Sequence, residues 1–459
     1  MSVEEVEVPP PKPASRPDGA GIWRRLQLFR QDLFSSQPDR LYDAWMAETR
    51  TPLYASYLIN QPDLAREVLT ERPGDFDKTG IIGAALRPLL GNSVFLTNGA
   101  VWARQRRIVE AAFEGGRLRS AFPAIQAAAE ASAARLAVEA GGGPVEVGAE
   151  TAHFAADVIF RTLFSVPIED DRAARVYAAF QAYQRAQPLA NLADLLRAPS
   201  WIPRWRSRTV RGAARTIRQA LVDAVAERQR VLDQGAAPDD LATKLMTTPD
   251  PVSGAHLSPA EVVDQIATFF LAGHETSASS LAWTLYLLAT HPGAQAQVAE
   301  EAQSFAAEPS FGALRRLAFT RDVVREALRL YPPVPVIMRD ARRPEHFRRR
   351  AVRAGSMIMV APWYMHRHRR LWRDPDAFDP HRWSEQSSQA TAKGAYLPFS
   401  AGPRVCPGAS FAMLEATLAL AVLLARFELA PVKGRRPRPV AHLTVRAADG
   451  IWLTLRPRS

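Results

Sequence analysis

One helix sets the scale of whatever this chain folds into. Ser258-Pro259-Ala260-Glu261 has the form of a capping box, with Ser258 as N-cap, Pro259 at the first helical position and Glu261 placed to reach back to the cap. The helical pattern then runs without a break to His291-Pro292, 33 residues beyond Ser258. At ~1.5 Å per residue that is roughly 50 Å, enough to cross a whole domain. Its apolar stretch has the length of a membrane span, but His274 and Glu275 stand at its middle and Asp264 and Gln265 near its start. Groups of that kind fit a protein core better than lipid. The domain is therefore predicted to be built around a buried helix.

At the centre of that helix lies Ala272-Gly273-His274-Glu275-Thr276-Ser277. The Thr276 hydroxyl can bond back to the Ala272 carbonyl and loosen the local ladder. With no side chain on Gly273, a small molecule could lie against the helix there.

The only cysteine, Cys406, sits in Phe399-Ser400-Ala401-Gly402-Pro403-Arg404-Val405-Cys406-Pro407-Gly408, directly before an apolar helical run from Ala409 to Phe427. A helix N-terminus pointed at the sulfur favours the thiolate. Arg404, two residues before it, can hold a carboxylate bidentately while the sulfur ligates a metal. Haem offers both groups.

This loop closely resembles the proximal loop of the cytochrome P450 haem-thiolate family, F-x-x-G-x-R-x-C-x-G, matching at Phe399, Gly402, Arg404, Cys406 and Gly408. Further matches to that family follow in order along the chain. Glu326 and Arg329, three apart on one helix face before Pro332-Pro333, resemble its E-x-x-R pair, joined by Arg382 from Phe378-Asp379-Pro380-His381-Arg382-Trp383. That last segment departs from the usual form at His381 and Trp383, neither of which is the arginine. Trp102 and Arg106 match W-x-x-x-R, and Arg339 occupies the family's other propionate-binding position.

The resemblance implies a mainly α fold with small β sheets, in which the long central helix crosses the domain over haem b (iron protoporphyrin IX). It implies Cys406 as metal ligand, Trp102, Arg106, Arg339 and Arg404 as cofactor-binding residues, and the acid–alcohol pair Glu275 and Thr276 as catalytic residues that deliver protons to dioxygen. The implied function is a monooxygenase that inserts one oxygen atom into a hydrophobic small molecule. A peroxide-using or rearranging enzyme of the same fold is the alternative, although its members usually lose the acid–alcohol pair. A haem-sensing protein with a Cys-Pro ligand is a third reading, and it has no need of Glu275-Thr276. Pocket walls are expected from Ile81, Ile82, Leu86, Phe95, Phe269, Phe270, Ala272, Val334, Val336 and Ile337, with Thr444-Val445 opposite and Leu189, Leu192 and Trp201 as a lid.

Composition agrees with one large domain over residues 21–459, preceded by an acidic, proline-rich segment over 1–20 that is expected to lack fixed structure. Strands are expected at Leu53–Leu58 and Met357–Ala361, and as a hairpin over His442–Leu455 turning at Asp449-Gly450. Surface loops are expected at Glu139–Pro144, Leu232–Asp240, Pro249–His256 and Ser384–Lys393. One cysteine and no signal-peptide pattern or anchor helix point to a monomeric cytoplasmic protein. The net charge of +11 comes from arginines scattered among acids, which argues against nucleic acid as partner. Clusters at Arg104-Arg106-Arg107, Arg348-Arg349-Arg350 and Arg367-Arg369-Arg370 suit an acidic electron donor of ferredoxin or flavodoxin type, with Arg104 and Arg107 as the expected steering charges. A separate donor is expected because only about thirty residues follow the proximal helix, too few for a further redox domain.

Overall fold

In the computed structural model the capping box forms as its sequence dictates. Ser258 Oγ accepts from the Glu261 amide at 3.3 Å and the Glu261 carboxylate accepts from the Ser258 amide at 2.9 Å. The helix that follows spans Pro259–Thr290 and is closed by the His291 amide, which donates to the Leu288 carbonyl. The description covers residues 9–458 apart from 22–23, 25–26, 30–31, 51–54, 115, 187–207 and 442.

This central helix is the spine of two apolar cores. Its first half packs Ile266 and Phe270 with Phe160, Phe180 and Ile217, and its second half packs Trp283, Leu285 and Leu288 with Tyr331, Trp363 and Leu418. The helix Val147–Phe164 lies closest along it, and Gly273 is the reason it can: a Cβ there would stand 3.1 Å from Ile159 Cδ1. The missing side chain serves helix–helix approach, and Gly273 also lines the cavity described below, as the sequence suggests. Around the spine stand Gly99–Phe113, Arg117–Ala140, Asp171–Ala186, Arg208–Asp233, Pro292–Ala307, Ala318–Leu330 and Ala409–Arg426. The last is the one helix among the described residues long and apolar enough to cross a membrane, yet Leu418, Leu420 and Leu424 are wholly buried in the core.

The largest sheet runs Met46–Arg50, Ala55–Ile59, Met357–Val360, Ile337–Ala341, Phe76–Lys78, and only its second and third strands pair in parallel. The strands expected at Leu53–Leu58 and Met357–Ala361 are thus present within a residue or two. The hairpin at Asp449-Gly450 is not. Val445–Ala447 pairs with Pro439–Ala441, whereas Trp452–Pro457 joins Phe427–Pro431 and Val145–Glu146. Gly450, at φ 74°, lies against Glu146, whose carboxylate accepts from the Ile451 amide at 2.8 Å. That contact redirects the chain to another sheet. The loop expected at Ser384–Lys393 also gives way to a helix, Gln386–Ala395.

Fixed contacts begin within the proline-rich N-terminal segment, earlier than its composition suggests. Tyr331 Oη donates to the Pro11 carbonyl at 2.8 Å, Lys12 Nζ pairs with Asp376 at 2.6 Å, and Pro10, Pro11 and Pro13 are buried. Prolines start with restricted backbones, so tying them down costs little conformational entropy.

The Glu326–Arg329–Arg382 network is buried and fully satisfied. Arg329 grips Glu326 with two bonds of 2.9 and 2.8 Å and donates to the carbonyls of His366, Pro375 and Ala377, while Arg382 Nε meets Glu326 Oε1 at 2.8 Å. Removing one partner leaves buried charge uncompensated, at a cost of about 3–5 kcal/mol. Glu326→Ala should therefore give little soluble, cofactor-loaded protein; wild-type yield and melting temperature would show the network to be dispensable.

Candidate active site

A cavity of about 740 Å³ opens between the central helix and the cysteine loop. Thr276, Ala272 and Phe269 face it from the helix, and Cys406 and Gly408 from the loop. Phe399, Ile82, Phe95, Val334, Val336 and Ile337 add apolar wall. Five of the expected lining residues do not reach it. Ile81, Leu86, Phe270, Thr444 and Val445 are buried in packing instead, Phe270 because it lies one helical step from Phe269 and stacks on Phe180 at 4.0 Å. Leu189, Leu192 and Trp201 lie outside the described residues.

The cysteine loop owes its shape to glycine at one position. Gly402 has φ 69°, and a Cβ there would fall 2.1 Å from the Leu69 carbonyl oxygen. No other residue fits. The Cys406 amide donates to the Phe399 carbonyl at 3.0 Å, and the helix Ala409–Arg426 begins three residues later. Cys406 is accessible only in the sense that it forms cavity wall, since protein crowds it on the other sides. Burial pushes its thiol above the ordinary range, against the Gly408 amide and Arg106, which pull it down. Burial thus opposes the helix N-terminus at the sulfur, and a metal bound there would favour the thiolate.

Beside the sulfur, cations gather with few anions. Arg106 Nη1 donates to the Val405 carbonyl at 2.7 Å and its Nε to Glu110. Arg404 Nη1 donates to the carbonyls of Pro73 and Phe76, its guanidinium lies 5.3 Å from the Trp102 ring centroid, and its Nε has no partner. Arg339, buried, bonds only the Met338 carbonyl and also leaves Nε unpaired. Burial and Arg404 push it down to about 10. All four residues expected to bind the cofactor, Trp102, Arg106, Arg339 and Arg404, line the same cavity as Cys406. Lys78 joins them, a residue that no motif signals. Unpaired buried guanidinium atoms beside a lone thiol match what haem presents, two carboxylates and a metal, so the residues fit that group.

On the helix side Thr276 Oγ1 donates to the Ala272 carbonyl at 2.6 Å, as its spacing suggests. Glu275 points elsewhere. Its carboxylate is held by Arg446 and Thr444, with Gln184 Nε2 at 3.4 Å, and it is not part of the cavity wall. Another acid is: Glu415, deeply buried, accepts from Ser277 Oγ at 2.9 Å and leaves Oε1 without a partner. Burial raises it to about 8. Its position inside an apolar helical run was the available signal.

The expected steering charges are neutralised. Arg107 grips Asp250 with bonds of 2.6 and 2.8 Å and Arg104 pairs with Glu261, while Arg367 is buried against the Trp363 ring and Arg369 is paired with Asp39 and Asp43.

The family model described as Cytochrome P450 matches residues 37–454. Among curated proteins, cyclooctat-9-en-7-ol 5-monooxygenase of Streptomyces melanosporofaciens is 34% identical over 420 residues, covering 90% of this chain and 87% of that one. Pentalenene oxygenase of Streptomyces avermitilis is 30% identical, covering 88% of each. Among solved structures, the crystal structure of a cytochrome P450DA heme domain superposes with a TM-score of 0.80 at 25% identity and covers 99% of both chains.

A carboxyl whose folded pKa is raised keeps its full contribution to stability only below its unfolded value, and loses it as pH rises through the folded value. For Glu415 that window runs from its ordinary range, near 4.5, up to about 8. Glu415→Gln should match wild type in melting temperature at about pH 5 and exceed it at about pH 9. Parallel melting curves across that range would show the carboxyl to be solvated.

Proposed function

This chain belongs to the cytochrome P450 family, and we propose on that premise that the molecule it oxidises is a polycyclic terpene hydrocarbon or its mono-alcohol. As a member it is a haem b monooxygenase that inserts one atom of dioxygen into a hydrophobic small molecule, with electrons from a redox partner. The observation that carries the substrate proposal is the apolar wall of Ile82, Phe95, Phe269, Val334 and Ile337 beside Thr276, in the cavity that would also take the haem against Cys406. Such walls hold a rigid hydrocarbon by burial and orient it by shape. The relatives named for cyclooctat-9-en-7-ol and pentalenene support the same class.

In this reading Cys406 is the metal ligand and Trp102, Arg106, Arg339 and Arg404 hold the haem carboxylates. Haem supplies the binding, reduction and cleavage of dioxygen. The protein supplies a dry wall and protons. Thr276, whose own proton goes to the Ala272 carbonyl, can accept a hydrogen bond from a group in the cavity, and it relays a proton only when it releases that back-bond. Glu275 can feed that hydroxyl only by leaving Arg446, a half-exposed side chain that connects the carboxylate to solvent. Proton supply is thereby coupled to an ion pair. We assign the electron donor to the ferredoxin or flavodoxin type, and the pairing of Arg104 with Glu261 and of Arg107 with Asp250 weakens the case for those two as its steering charges.

The function is tested by screening polycyclic terpenes, fatty acids and steroids for a low-spin to high-spin shift, then following labelled dioxygen into product. A shift confined to fatty acids or steroids would reject the terpene assignment.

Two variants test the residues. Cys406→Ser should abolish the strongly red-shifted Soret band of the reduced carbon monoxide complex, and persistence of that band would move the ligand elsewhere. Thr276→Ala should bind substrate and accept electrons normally while turning much of the consumed nicotinamide cofactor into hydrogen peroxide. Unchanged product per cofactor oxidised would leave Thr276 a structural residue.

A further inference from the structure

The cavity shared by Cys406 and Thr276 has a second arm, separate from both the cationic wall and the substrate wall. Its lining comes from the end of the helix Gly99–Phe113, the start of Arg117–Ala140, the end of Val147–Phe164 and residues 239–241. At the inner end Ile159 lies against Gly273, and the Phe113 ring meets Phe269 edge to face at 5.4 Å. Gly273 and Thr276 stand three apart on the central helix, so the arm enters beside the threonine. At the outer end Ser165, Pro167 and Asp239 are exposed, and the arm reaches solvent there.

Between its ends the arm is walled by Ala124, Leu163, Val166 and Leu241. The polar side chains along it are committed to the protein. Thr162 Oγ1 donates to the Val158 carbonyl at 2.7 Å, Ser120 Oγ to the Arg117 carbonyl at 3.2 Å and Arg161 Nε to Asp157 at 2.9 Å. Asp239 is held by Arg117 at 2.6 Å and Lys244 at 3.0 Å, and Asp240 by Arg228 at 2.7 Å and Ser165 at 2.9 Å. Among the described residues, none of these side chains leaves a buried polar atom without a partner. An ordered water needs two to four polar partners, whereas an apolar cavity stays dry and takes apolar guests.

We propose that this arm is the entry for dioxygen, an apolar gas small enough to pass Phe113, Ile159 and Phe269 where an organic substrate is stopped. Apolar solutes leave water for such a space. A substrate seated against Ile82, Phe95 and Val334 fills the other side of the cavity, and the arm then still leads to Thr276. The ion pairs of Arg117 with Asp239 and of Arg228 with Asp240 tie the outer rim across three elements and keep it narrow. The proposal rests on membership of the family and stands whether or not the substrate is a terpene.

The test follows carbon monoxide, a diatomic gas of similar size, as it recombines from solution after flash photolysis of the reduced, haem-loaded protein. Ala124→Trp fills the arm at its middle and Val166→Trp near its mouth. Each should slow carbon monoxide association about fivefold, a barrier rise of about 1 kcal/mol. Phenylimidazole is too large for the arm and reports entry by the substrate side, so its association should keep the wild-type rate. Unchanged carbon monoxide association in both variants would overturn the proposal. Equal slowing of both ligands would overturn it as well, because the effect would then not belong to the arm. Should neither variant load haem, crystals of the wild-type holoenzyme under xenon pressure decide the matter. Xenon beside Phe113, Ala124 and Leu163 supports the route; a file of ordered waters there, or xenon against the substrate wall alone, refutes it.

Discussion

The geometry of the site depends on one buried guanidinium. Arg329 sends its donors to Glu326 and to three carbonyls, those of His366, Pro375 and Ala377, and so ties the helix Ala318–Leu330 to the segment that leads into the cysteine loop. His366 extends the tie: its Nε2 accepts from the Leu397 amide at 2.8 Å, two residues before Phe399. A charged imidazole could not accept there. Burial, with Arg329 close by, pushes His366 down to about 3 and keeps it neutral. Arg382 closes the network on Glu326, so two guanidinium groups and one carboxylate remain with a net charge that only backbone carbonyl dipoles balance. A network of that kind does more for geometry than for stability, because hydrophobic replacements could supply the stability but not the directions.

The wall opposite the central helix is built on the reverse principle. There the cations Lys78, Arg106, Arg339 and Arg404 are left with backbone carbonyls, two distant or half-exposed acids and the face of Trp102. A protein that completed these charges with its own carboxylates would have no place for an anionic cofactor. The deficit fits the two carboxylates of haem, the group these residues are proposed to hold.

The two acids near the cavity stand on different helices, Glu275 on the central helix and Glu415 on the helix that follows Cys406. Glu275 is tied to Arg446 at the edge of solvent, while Glu415 faces the cavity, bonds Ser277 among the described residues and is pushed up to about 8 by burial. Thr276 sits between a committed backbone bond and open cavity.

Local rules that need only neighbours in sequence could be read directly. The capping box at Ser258 and Glu261, the stop at His291-Pro292, the Thr276 back-bond and the Glu326–Arg329 spacing all formed as written, because each depends on backbone geometry within a few residues. The ordered motifs around Cys406, Trp102 and Arg339 likewise located the cavity wall. What sequence could not decide were choices between partners far apart in the chain. Arg104 and Arg107 read as free charges until folding placed Glu261 and Asp250 against them. Asp449-Gly450 reads as a hairpin until Glu146 captures the next amide. Lys78 carries no motif at all; only the pairing of its strand places it opposite Arg339 and beside Arg404 and Arg106. Charge state, packing and pairing belong to the three-dimensional neighbourhood, because Coulomb energy and desolvation depend on which groups meet, and sequence spacing fixes those meetings only within a turn or two.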